Sequence, residues 1–194
     1  MTVLALAGLL DDLTPDEALA GAESSRQERD IIQRAQRLDQ AALSWIYESY
    51  YPRVYSYLLL QLGEAQQAED IASEVMLKVL EGLPKFRWRG APFSAWIFRI
   101  ARNCLIDHHR RRKRRNEVSL DLVDEAKSQD PTPQSRTEAA DSYWKLRKAL
   151  QQLSEDQRQV IILKFAQGLD NKAIAKVLGR REGAIKSLQH RALQ

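Results

Sequence analysis

Residues 86–115 read FRWRGAPFSAWIFRIARNCLIDHHRRRKRR, and this stretch decides the fold. Aromatic residues come first: Phe86, Trp88, Phe93, Trp96 and Phe98. An unbroken basic run, Arg110 to Arg115, comes last. Between them Phe93, Ile97, Ile100, Ala101, Cys104 and Leu105 recur at the spacing of one helical face. A helix that buries one face, opens on aromatics and ends in arginines is suited to holding a phosphate backbone and stacking bases.

Working outward, the whole chain of 194 residues has room for one domain or two small ones. Apolar residues make up 44%, enough for a core, and charged residues 29%. The net charge is only +4, but the positive charge is clustered, and a field able to hold a polyanion is local. Cys104 is the single cysteine, so no intramolecular disulfide can form and nothing argues for an oxidising compartment. Its place on the apolar face favours a small core residue over a reactive thiol. The opening MTVLALAGLLDDL lacks the basic start and cleavage site of a signal peptide, and no stretch is long enough to span a membrane. The expectation is a soluble, cytoplasmic protein.

On the N-terminal side, residues 1–27 form an extension in which Thr14-Pro15-Asp16-Glu17 is a capping box. A frayed extension docked on the body outranks a partner-binding or autoinhibitory arm. Helices are then predicted with Ile31, Ile32, Ala35 and Leu38 on one stripe. Asp39 caps the next, which carries Ala42, Leu43, Ile46 and Tyr47. Pro52 starts a further helix that Gly63 ends. From about Ala65 another turns Ala68, Ile71, Ala72, Val75, Met76, Val79 and Leu80 inward, leaving Glu69, Asp70, Glu74 and Lys78 outside. Gly82 and Pro84 close it, and Gly90 with Pro92 opens the helix of the deciding stretch.

On the C-terminal side, residues 116–140 are acidic, contain Pro-Thr-Pro and have few large apolar residues, which is a linker composition. Helices resume at Asp141, the first with Trp144, Leu146, Leu150 and Leu153 on one face. Ser154 to Gln157 is a second capping box, starting a helix with Val160, Ile161, Leu163 and Phe165 that stops near Gly168. Asp170 caps a helix with Ile174, Ala175, Val177 and Leu178 inward. Gly179 turns the chain, and a last helix seats Ile185, Leu188 and Ala192. The segment 171–188 fits a helix-turn-helix, with Ala175 permitting a close crossing. Lys186, Ser187, Gln189, His190 and Arg191 are then free to face a major groove, while Arg180 and Arg181 are placed to grip phosphates. An ordinary packed helical pair is the plainer alternative.

Two further features bear on chemistry. Trp88, in a loop between Arg87 and Arg89, suits stacking on an unpaired base, worth roughly 1–3 kcal/mol. Asp107, His108, His109 and Cys104 are metal-ligand types, but adjacent histidines on a helix point about 100° apart. Cys104 and His108 share the core face. No HExxH, CxxC, phosphate-binding loop or nucleophile motif occurs, so neither a metal site, a cofactor nor catalysis is expected.

The span from about Arg29 to the C-terminus resembles the bacterial RNA polymerase sigma factors of the extracytoplasmic-function (ECF) type, in the sigma-70 family. AEDIASEVMLKVLEGLPKF, Ala68–Phe86, resembles region 2.2. PFSAWIFRIARNCLIDHHRRR, Pro92–Arg112, resembles regions 2.3 and 2.4. LSEDQRQVIILKFAQGLDNKAIAKVLGRREGAIKSLQHRAL, Leu153–Leu193, resembles region 4. The resemblance implies an all-α fold of two small helical domains. Residues 28–115 would be the region 2 bundle and 141–194 the region 4 helix-turn-helix, joined by the flexible linker.

It also implies the partners. Region 2.2 docks on the clamp helices of the core polymerase β′ subunit, which assigns Glu69, Asp70, Glu74 and Lys78. Regions 2.3 and 2.4 recognise and melt the minus-ten element. That assigns Trp88, Trp96, Arg99, Arg102 and Asn103, with Arg110, Arg111 and Arg112 near backbone phosphates. Region 4 sits at the β flap and reads the minus-thirty-five element, which assigns Arg180, Arg181, Lys186, Ser187, Gln189, His190 and Arg191. The linker of such proteins threads toward the RNA path, and an anti-sigma factor masks one or both domains. Three departures stand out: the chain stops at Gln194, before the usual tail of the recognition helix; Arg180-Arg181 replaces an apolar-then-capping pair; and residues 1–27 have no counterpart in the minimal pattern. A helix-turn-helix regulator acting without polymerase is the alternative function, and a metal-dependent nucleic-acid enzyme using Asp107, His108 and His109 a more distant one.

Overall fold

A computed structural model describes residues 26–88, 90–118 and 138–194, with the backbone alone for 115–118 and 138–144. Among these residues every regular element is helical. In chain order they are α1 (26–35), α2 (Gln40–Leu62), α3 (Ala65–Gly82), a short 3-10 turn Leu83–Lys85, and α4 (Phe93–Val118). After the linker come α5 (Glu138–Gln151), α6 (Glu155–Ile161) with a π turn at Ile162–Ala166, α7 (Asn171–Leu178) and α8 (Glu182–Ala192). The expected helix at Thr14 and the acidic body of the linker lie outside the described residues.

The ends of these helices follow from their capping residues. Asp39 accepts from the Ala42 N–H, Ser154 makes a reciprocal capping box with Gln157, and Asp170 accepts from the Ala173 N–H. At Gly179 the chain takes φ 65°, the left-handed conformation that lets α7 stop and α8 cross it.

Helix α2 packs on α3, and both pack on α4. Phe93, Ile97, Phe98, Ala101, Cys104 and Leu105 of α4 are fully buried or nearly so. Phe93 meets Tyr50 and Phe86 edge-on, and Phe98 meets Tyr57. The Tyr50 hydroxyl donates to Glu28, tying α1 to α2. In the second half α6 packs on α8, and α7 on α8, around Val160, Leu163, Ile174, Val177 and Ile185.

Several side chains depart from their expected faces. Pro52 starts no new helix: it lies inside α2. Pro52 and Glu48 are both exposed, so the Glu48 carbonyl that loses its N–H partner can bond to water. Leu38 is 75% exposed at φ 65°, in the turn that ends α1, and Tyr47 stacks on Tyr51 at the surface. Leu80 is also exposed, one position round the helix from buried Val79. In α5, Leu146 is exposed and Arg147 is buried with Leu150, so the buried face is turned by one residue. Ile100 and Ile161 are half-buried, while Ile162 takes a core place.

Candidate nucleic-acid interface

The deciding stretch splits into two adjacent clefts. The first, about 370 Å³, is lined by Phe86, Trp96, Lys85, Arg87, Arg99 and Lys176, among others. Its floor is aromatic because Trp96 packs against Phe86 at 5.0 Å and Phe93 at 5.3 Å between ring centroids. Gly82 makes that seating possible. A Cβ there would stand 2.9 Å from Trp96 Cζ2, closer than packed carbons approach. The glycine that ends α3 therefore also makes room for the benzo edge of the indole.

The second cleft, about 290 Å³, is lined by Trp88, Arg29, Glu28, Asp170 and Lys172, among others. Trp88 is half-buried, edge-on to Phe86, with the Arg29 guanidinium 5.0 Å above its ring. A cation over the indole face is favourable, so a base could stack there only by taking Arg29's place or by using the other face. The two tryptophans thus face different clefts. Arg89 lies outside the described residues.

Trp96, Arg99 and Asn103 stand at i, i+3 and i+7 on α4 and share a face, with Arg110 seven residues further on. Arg99 and Asn103 are exposed. Arg102 is half-buried and donates through Nε to Gln159 Oε1 at 3.1 Å. Arg110 lies 3.9 Å from Asp107, and Arg111 lies 3.3 Å from Glu74. Such surface pairs are worth about 0–1 kcal/mol and yield readily to phosphate. Arg112 is exposed.

Glu69 and Asp70 are exposed on α3. Glu74 is bonded to Lys78 at 2.8 Å as well as to Arg111, and the Lys78 bond is the main cause that holds its carboxyl below the usual range. Leu77 and Leu80 lie exposed on the same helix, giving it an apolar component beside the acids. Periodicity marks Leu80 for the core and passes over Leu77, and both are exposed. Cys104 is fully enclosed with Lys78 Nζ 3.5 Å from its sulfur, and burial pushes the thiol pKa up, as fits a core residue. His108 bonds to Gln67 at 3.1 Å. Among the described residues no group of three or more metal-ligating side chains gathers, and no helix is long and apolar enough to cross a membrane.

In the second half the expected groove-facing residues do share one helix, α8. Lys186, Ser187, His190 and Arg191 are exposed and Gln189 is half-buried. Their bonds are local: Lys186 to Glu182 at 3.3 Å, Ser187 Oγ to the Gly183 carbonyl at 3.0 Å, Arg191 Nε to the Ser187 carbonyl at 3.3 Å, and His190 to Gln194 at 2.9 Å. Arg180 pairs with Asp156, and exposed Arg181 precedes the helix without a side-chain cap bond. The helix-turn-helix register drawn from the sequence holds, the double arginine notwithstanding: α7 ends at Gly179 and α8 starts at Glu182.

Sequence reasoning missed Lys85, Lys172, Lys176 and Arg29 at the clefts. The two α7 lysines are spaced i,i+4, a visible signal for a shared face, but nothing local says which surface that face meets.

Residues 46–115 match sigma-70 region 2, and residues 143–194 match sigma-70 region 4. The chain is 33% identical over 175 residues to the ECF RNA polymerase sigma factor BldN of Streptomyces coelicolor. That covers 90% of this chain and 66% of BldN, just under two thirds of the relative. It is 32% identical over 168 residues to the ECF sigma factor SigD of Mycobacterium tuberculosis, covering 84% of this chain and 79% of SigD. Among solved structures, the sigma factor RpoE in complex with the anti-sigma factor NepR from Bartonella quintana superposes with a TM-score of 0.63 at 27% identity. The match covers 77% of this chain and 91% of RpoE. CnrH, solved with the cytosolic domain of CnrY, shares the fold with a TM-score of 0.64 at 19% identity, over 86% of this chain and 92% of that one.

Proposed function

Because the chain belongs to the ECF RNA polymerase sigma factors, we propose that it binds core polymerase, directs it to a class of promoters and opens the duplex there, under the control of an anti-sigma factor. The carrying observation is the aromatic and cationic cleft between Phe86, Trp96 and Arg99, on the half of the chain that matches region 2. Residues 28–115 take the region 2 role and 141–194 the region 4 role. The acidic linker, residues 116–140, lies along the path of the nascent RNA.

In this reading Trp96 offers an aromatic wall and Arg99, Arg102 and Asn103 supply donors to an extruded minus-ten base. Trp88 stacks on a second base once Arg29 moves. Extracting a base costs a few kcal/mol, and each stacking contact returns roughly 1–3. Arg110, Arg111 and Arg112 position the duplex by phosphate contacts, which carry little sequence information. Glu69, Asp70, Glu74 and Lys78 form the β′ docking face. Arg180, Arg181, Lys186, Ser187, Gln189, His190 and Arg191 read or grip the minus-thirty-five element while region 4 rests on the β flap. The protein carries out no reaction itself; the polymerase does, in the cytoplasm, where the DNA is.

The test is promoter binding and transcription with and without core polymerase. Specific complexes should form only with core present. Tight promoter-specific binding by the free protein would instead support a polymerase-independent regulator. Trp88→Ala should lower open-complex formation more than core binding, and an equal loss of both, or of neither, removes the stacking role.

A further inference from the structure

The walls of both clefts rest on one residue. Phe86 meets Trp96 at 5.0 Å and Trp88 at 5.3 Å between ring centroids. Whatever fixes the backbone at Phe86 therefore fixes where both indoles stand. Gln36, the residue after α1, reaches that backbone. Its Nε2 donates to the Leu83 carbonyl and to the Phe86 carbonyl, at 2.9 Å each. A primary amide carries two hydrogens on one nitrogen, one for each carbonyl. We propose that Gln36 is a positioning residue. Through these two bonds it holds the turn 83–86, and with it Phe86 and the indoles of Trp88 and Trp96, where an extruded minus-ten base must meet them. The proposal rests on the promoter-opening reading for the identity of that base.

The bonds are not needed to satisfy the two carbonyls. The Leu83 carbonyl already accepts from the Phe86 N–H at 3.1 Å, and the Phe86 carbonyl from Arg87 Nη1 at 2.9 Å. Each carbonyl oxygen has a second lone pair, and Gln36 takes it. What Gln36 adds is a tether, across 47 and 50 residues of sequence, from the end of α1 to the turn that leads into the Trp88 loop. Gln36 precedes the stretch 46–115 that matches sigma-70 region 2, so the tether enters from outside it.

The anchored end of the tether is itself held. Arg29, Ile32 and Gln36 stand at i, i+3 and i+7 and share a face. Ile32 is fully buried, and the Gln36 N–H donates to the Ile32 carbonyl at 2.9 Å. The chain then turns through Leu38 at φ 65°, a conformation costly to any residue but glycine, although Leu38 is exposed and gains little from packing. That turn delivers Asp39 to cap α2 and to pair with Arg34 at 3.2 Å. Gln36 is thus set between a buried isoleucine and a capped helix start. Arg29, at the other end of the same face, lies 5.0 Å from the Trp88 ring centroid. The two contacts differ in kind. Arg29 is exposed and holds the indole through its charge, so it can leave when a base arrives. The Gln36 bonds are part-buried and grip backbone, so they remain.

Gln36→Met keeps the length of the side chain and removes both donors. The full chain is labelled with fluorotryptophan, and its fluorine resonances are assigned from Trp45→Phe, Trp88→Phe, Trp96→Phe and Trp144→Phe variants. In the free protein the substitution should shift or broaden the signals of Trp88 and Trp96 and leave that of Trp45 in place. With core polymerase, open-complex formation should fall by about tenfold or more while core affinity changes by less than about twofold, as for a displaced but intact site. Discrimination among bases in the minus-ten element should flatten, and that in the minus-thirty-five element should be kept. Should the methionine variant not fold, Gln36→Asn, whose amide is one methylene short of the two carbonyls, carries the same comparison. Unmoved Trp88 and Trp96 signals overturn the proposal. So do shifted signals with wild-type opening, and so do equal losses of core affinity, opening and discrimination at both elements, which describe a general loss of stability. Binding of the wild-type chain to core polymerase is scored separately. Failure there removes the promoter-opening reading, while the fluorine signals still decide whether Gln36 sets the indoles.

Discussion

The two proposed DNA-binding surfaces are built in opposite ways. In the first half, Trp96 rests on Phe86 and Phe93, and Phe93 on Tyr50, so the cleft wall is continuous with the domain core. In the second half, α8 buries Ile185 and Leu188, and the bonds of Lys186, Ser187, His190 and Arg191 go to the same helix or to the residue at its end. A wall that must hold an extruded base needs rigidity, because a loose cleft gives back in ordering entropy what stacking supplies. A helix that enters a groove needs only the right side chains on a firm axis. The aromatic wall behind Trp96 therefore cannot be altered without disturbing the fold, whereas the outward residues of α8 can.

Substitutions that separate fold from function break or sharpen this contrast. The largest effect is expected from Phe93→Ala. Phe93 is fully buried between Tyr50, Phe86 and Trp96, and its loss should lower stability by about 3–5 kcal/mol in urea unfolding and abolish promoter opening with it. A loss below about 1 kcal/mol would mean that the cleft is not rooted in the core. Gln189→Ala is the counterpart in the second half. It should leave the unfolding midpoint unchanged while weakening discrimination at one minus-thirty-five position by about 1–3 kcal/mol. A shift in unfolding of comparable size would erase the difference between the two surfaces. Smaller again is Asp170→Ala, which removes the side-chain bond to the Ala173 N–H and should cost about 0.5–2 kcal/mol. An unchanged unfolding midpoint would show that the Ala173 N–H finds another partner when Asp170 is gone.

The parts of this architecture that were legible in the sequence are those set by local chemistry. Asp39, Ser154 and Asp170 announce helix starts, Gly63 and Gly179 announce ends, and the α4 stripe from Phe93 to Leu105 announces a buried face. What was not legible depends on neighbours far away in sequence. Pro52 reads as a helix start because proline removes an N–H, and only its exposed position shows that the missing bond is tolerable. Arg147 reads as a surface residue until Gly63 is brought against it. Nothing local says that Trp88, in its loop, and Trp96, on α4, line separate clefts. In the cleft the residue types were visible, but the arrangement required a glycine on another helix.

The smallest effect expected is a pH dependence within the rigid half. His108 lies on α4 and bonds to Gln67 on α3. Its pKa is lowered from 6.5, first by burial, then by His109, Arg111 and Arg112, with Glu64 acting the other way. The folded protein therefore binds this proton less readily than the unfolded chain. Its contribution to stability is complete above 6.5 and is lost as pH falls from there through the lowered folded value. His108→Gln keeps a hydrogen-bonding side chain at that point and removes the titration. The urea midpoint of the wild type should fall more than that of the variant between about pH 7 and pH 5. Parallel curves would show that α3 and α4 part enough at this end to hydrate the ring, and the rigidity ascribed to the first half would then have to stop short of the basic run.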